Sequence, residues 1–79
     1  MKLPVIRKIV KEFSLEELKT AEAALLEERP LAIEVEGEDE GEQLTHIIGA
    51  IEIKEHMANG MSDKDALRAF SQRVRNSIS

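Results

Sequence analysis

Between Leu44 and Ala58 the sequence is apolar on two sides of any helix it could form, in a chain of only 79 residues. At about 100° per residue, Leu44, Ile47, Ile48, Ile51 and Ala58 fall on one face. His46, Gly49, Ala50, Ile53 and Met57 gather on nearly the opposite one. A helix that is apolar on two faces is buried on two faces. So short a chain has little else to cover both, which predicts either a central helix or a face given to a partner. The second face, with Gly49 and Ala50 allowing close approach, is the candidate contact surface, and the chain is expected to be a homodimer through it.

The remaining elements announce themselves by their caps. Val5, Ile6, Ile9, Val10 and Phe13 share a side if residues 4–13 are helical, and Pro4 suits a first helical turn, where its missing N–H costs nothing. These β-branched residues suit a strand as well, but the adjacent Arg7-Lys8 breaks strict alternation. Ser14-Leu15-Glu16-Glu17 has the form of a capping box. It opens a second helix, about 15–28, with Leu15, Leu18, Ala21, Leu25 and Leu26 inward, which Pro30 stops by disfavouring helical geometry at Arg29. Asp39 followed by Glu42 caps a third helix over about 40–58, and Asn59-Gly60 ends it. Ser62 caps a fourth, about 63–77, with a stripe of Ala66, Leu67, Phe70, Val74 and Ile78. The fold class is therefore all-α: one domain, a bundle of about four helices. Residues 31–36 alternate with period two and are expected to be extended, either as a connector or as half of a two-stranded ribbon between subunits, an α+β alternative.

Composition removes whole chemistries. Cysteine is absent, which excludes disulfides, thiolate nucleophiles and sulfur-ligated metals. Phe13 and Phe70 are the only aromatics, so Leu, Ile and Val carry the core. No run approaches the roughly 20 apolar residues of a membrane span, and the opening residues lack a secretory pattern; a cytoplasmic location is the default expectation. The net charge of −5 is unevenly spread. Residues 1–11 hold Lys2, Arg7, Lys8 and Lys11 and no acid, whereas residues 12–55 hold fourteen acids against Lys19, Arg29 and Lys54. Residues 56–79 return to a net positive charge. Basic ends around an acidic middle are expected to neutralise one another within the fold.

The candidate sites fail their patterns one after another. Glu36, Glu38 and Glu40 alternate like calcium ligands and Gly41 takes the sharp-turn place, but Ile47 stands where the bidentate carboxylate belongs. His46 and His56 are separated by ten helical residues, about 15 Å, and cannot share an ion. Glu52 is placed to pair with His56 one turn away. Ser14 and Ser62 are explained as caps, and no nucleophile elbow, phosphate loop or dinucleotide fingerprint occurs. No catalytic residue, metal or cofactor is expected. Lys64, Arg68 and Arg75 form a basic row on the last helix that could meet phosphates, against the acidic total and the lack of stacking aromatics. A non-enzymatic interaction or accessory protein is the leading expectation, and a nucleic-acid-binding module the alternative.

The opening Met1-Lys2-Leu3-Pro4-Val5-Ile6 resembles a family of small bacterial proteins of unknown function, about 80 residues long. So does the closing half, through Gly49-Ala50-Ile51-Glu52-Ile53, Gly60-Met61, Lys64, Ala66-Leu67, Phe70, Gln72-Arg73-Val74 and Ser77-Ile78. Residues 12–43 resemble it less. The family has no established activity, so the resemblance supplies no catalytic residue. Its members are often encoded near thioredoxin-like and peroxide-reducing proteins, which implies a redox-associated partner.

Overall fold

The computed structural model describes residues 2–78, with side chains through Arg75. Met1, Ser79 and the side chains of residues 76–78, among them Ile78 of the expected apolar stripe, lie outside the described residues. Four helices follow in order: α1 (Leu3–Glu12), α2 (Leu15–Leu26), α3 (Glu40–Ala58) and α4 (Asp63–Ile78). The chain is an all-α bundle. Among the described residues of the single chain there is no strand, and residues 31–36 form a connector within it.

Each helix begins and ends for a local reason. The Ser14 hydroxyl accepts the Glu17 N–H at 3.1 Å, while the Glu17 carboxylate accepts the Ser14 N–H at 3.0 Å, completing the box. Asp39 accepts the Glu42 N–H at 2.8 Å, but Glu42 turns to the Glu38 N–H instead of closing a second box. Ser62 accepts the Asp65 N–H at 3.2 Å. At the end of α3, Gly60 adopts φ 103°, and the N–H of Met61 reaches the carbonyl of His56 in a Schellman turn. The end of α2 differs from expectation. It stops at Leu26, before Pro30 can act, because Glu28 enters the left-handed region at φ 57° and Arg29 N–H bonds Ala24 O at 2.7 Å.

α3 is the central element and packs against each of the other three helices. Its 19 residues span about 28 Å at the helical rise, most of the molecule's 32 Å length. From α1 come Val5, Ile6, Ile9 and Val10, all buried. Burying such side chains gains about 1.5–3 kcal/mol each, which outweighs the strand preference of β-branched residues. α2 adds Leu18, Ala21 and Ala24, and α4 adds Ala66 and Phe70. Leu26, expected inward, is 65% exposed. Leu25 and Leu26 point about 100° apart, and Leu25 is the one that packs against the core. Where α1, α3 and α4 meet, a Cβ on Gly49 would lie 2.8 Å from Phe70 and 3.1 Å from Ile6, so glycine is what permits their close approach.

Two ion pairs tie the basic ends to the acidic middle. Arg73 of α4 holds Glu52 of α3, taking the carboxylate expected to pair with His56, and Lys8 approaches Glu36 at 3.9 Å.

Candidate functional site

The face of α3 expected to meet a partner is covered by the chain itself. His46, Gly49, Ala50 and Ile53 are buried, the first with none of its surface exposed, and Met57 is half-buried. The reason lies in the count of neighbours: α1 and α4 both dock on α3, and Gly49 packs beneath Ile6 and Phe70. This surface is therefore corrected from an intermolecular contact to a seam of the core over most of its length.

His46 shows what such a seam requires of a polar residue. Lys2 N–H can only donate and lies 3.0 Å from Nε2; Glu36 O can only accept and lies 2.8 Å from Nδ1. The ring therefore carries its hydrogen on Nδ1 and offers its Nε2 lone pair to Lys2. Both nitrogens are thus engaged within the chain. Gln43 adds a second tie to the same connector, donating from Nε2 to Val35 O at 2.9 Å. The acidic connector is likewise occupied with folding: Asp39 and Glu42 cap, and among the described residues no three metal-ligating side chains converge.

Among the recesses on the bundle is a groove of about 430 Å³ where α1, the C-terminal half of α3 and the first turns of α4 diverge. Each helix contributes residues one turn apart, so the groove has ordered walls. α1 supplies Arg7 and Lys11 on its solvent edge with Val10 between them, α3 supplies Ile53 and Met57, and α4 supplies Asp63, Lys64 and Leu67. The floor is thus aliphatic and thioether, and the rim is three cations and one acid. None of the three cations makes an ion pair with a described residue. The volume lies in the range of small-ligand clefts, and the eight lining residues divide evenly between apolar and charged. The lining can hold an apolar group beside negative charge.

Of the expected site residues, Ile53, Met57 and Lys64 come together here, whereas Arg68 and Arg75 are exposed on α4 away from the groove. Arg7, Val10, Lys11 and Leu67 were not singled out as a site from sequence. Their signal was present nonetheless: α1 and α4 each carry cations one turn apart along the edge of an apolar stripe.

A family model matches residues 1–79, the full length of the chain. The chain belongs to this family of unknown function, DUF6952. The DUF6952 match includes residues 12–43, where the sequence resemblance was weaker, so the connector and α2 are part of the family's domain. No curated protein and no solved structure matches the chain.

Proposed function

We propose that this DUF6952 protein is a non-enzymatic interaction protein whose contact surface is the groove between α1, α3 and α4. The observation that carries this reading is the pairing of an apolar floor with three cations on one rim. A partner presenting an apolar side chain flanked by carboxylates would bury the former and meet Arg7, Lys11 and Lys64 with the latter. The redox-associated partner implied by the family's gene surroundings is one candidate for that role, and a second copy of this chain is another. A cytoplasmic setting is consistent with the described helices, none of which is long and apolar enough to cross a membrane.

Site-specific photocrosslinking in cells tests the proposal. A photoreactive residue replacing Met57 is expected to give protein adducts that disappear when Lys11→Glu and Lys64→Glu are added. The same residue replacing the exposed Thr45 should give none. Equal labelling at both positions, or labelling indifferent to charge reversal, would overturn it.

A second reading, nucleic-acid binding, is favoured by one observation: Lys64, Arg68 and Arg75 are all exposed along α4. Three phosphate contacts predict an affinity that falls with salt at a slope of about −3 on logarithmic axes. Loss of binding in the triple alanine variant would support this reading, and no binding at low salt would end it.

A further inference from the structure

Leu26 is the most exposed of the large apolar side chains in the described residues, at 65%. It closes α2, with Glu22 one turn before it and Glu27 and Glu28 directly after. No base lies in the last turn of α2 to offset the partial negative charge of the helix C-terminus. Counting Arg29, which pairs with Glu27 at 2.6 Å, this tip still carries two net negative charges. The groove has the opposite character: an apolar floor, and two net positive charges once Asp63 is set against Arg7, Lys11 and Lys64. A protruding leucine ringed by acids and a recess ringed by bases thus occur on one chain. They cannot satisfy each other within it, because α2 lines no part of the groove and is docked on α3.

We propose that the groove receives the Leu26 tip of a second copy of this chain, so that subunits associate head to tail. The inference rests on the groove being the contact surface. It differs from a two-fold dimer: knob and recess are distinct patches, so each added subunit presents a fresh knob and a fresh recess, and the assembly grows into a ring where the rotation closes and an open filament where it does not. Docking would transfer Leu26 from water to the aliphatic floor and bring Glu22 and Glu28 toward Lys11 and Lys64. The charged rim would fix orientation and hasten encounter more than it adds affinity.

Sedimentation of the intact protein and two variants tests this. Leu26→Ser removes the knob but leaves the groove; Lys11→Glu with Lys64→Glu reverses the rim but leaves the knob. All three substituted positions are exposed, and circular dichroism checks that both variants remain folded. The wild type is expected to grow in mass with concentration, and each variant alone to associate at least about tenfold more weakly, a loss of about 1.4 kcal/mol. Mixed, the two variants should form a one-to-one heterodimer that grows no further, since only one intact knob and one intact groove remain. A wild type that stays monomeric at millimolar concentration would overturn the self-docking inference. It would leave the groove reading intact for a different acidic partner, which the Met57 crosslink would then report at a foreign mass. A wild type that associates while both variants associate equally well, or a mixture that forms no heterodimer, would also overturn it. In the first of those cases the rim charges would have no part in association, and the groove reading would weaken with it.

Discussion

His46 is the one buried polar residue among the described residues, and it is tolerated because both of its nitrogens are satisfied. Replacing it by Phe keeps the ring but strands the Lys2 N–H and the Glu36 carbonyl. An unmade bond costs about 1–3 kcal/mol when its groups are fully buried; here both bonds are part-buried, with Lys2 and Glu36 exposed, so His46→Phe is expected to lose about 1–3 kcal/mol in urea unfolding. The nitrogen-15 spectrum should show the proton on Nδ1 and a bare Nε2; the reverse tautomer would contradict the geometry. Glu28 presents the opposite case, a residue less suited to its place than glycine. A non-glycine residue at φ 57° pays about 1 kcal/mol for its left-handed backbone. Glu28→Gly should therefore raise stability by about 0.5–1 kcal/mol, read as a higher midpoint with an unchanged denaturant slope.

At the scale of elements, the α1–α3–α4 junction depends on one missing methyl group. Alanine favours a helix interior over glycine by about 1 kcal/mol, so propensity alone argues for Gly49→Ala. Packing argues against it, since the new Cβ would sit 2.8 Å from the tip of the Phe70 ring and 3.1 Å from Ile6. Overpacking of this kind costs about 1–3 kcal/mol. We expect Gly49→Ala to be net destabilising by about 1 kcal/mol and the added substitution Phe70→Leu to relieve part of that cost. A double-mutant cycle measures the coupling. Additivity of the two changes would mean that the helices part without resistance.

For the whole molecule, the consequence of a central α3 is that no outer pair of helices forms a core without it. α1 and α2 are joined by a short turn, yet the helix pairs with substantial contact all include α3. A peptide covering residues 1–30 is expected to show little helix by circular dichroism, because isolated helices of this length are marginal in water. The intact chain should unfold in one transition reported alike by helix signal and by Phe70-side methyl resonances. A stably helical 1–30 fragment would show that α3 is not the organising element.

The residues at the chain's turning points by themselves determined where α1 to α4 lie. Ser14, Asp39, Asn59-Gly60 and Ser62 act through bonds to backbone groups within a few positions, so their effect is readable locally. The same holds for excluded chemistry: a missing cysteine or a failed ligand spacing needs no fold to be recognised. The end of α2 was less legible, because Pro30 was the visible stop signal while a strained Glu28 did the stopping. Which side of α3 faces solvent was decided by tertiary structure alone. Periodicity fixes the angle between Ile48 and His46 around a helix axis but carries no information on how many neighbours will dock. Two helices, α1 and α4, settled on the His46 side, hid the face that looked available and left Ile48 43% exposed. The groove follows from the same fact. Arg7 and Lys11 on one helix and Lys64 on another are separated by more than fifty residues of sequence, and only their common packing against Ile53 and Met57 makes them a site.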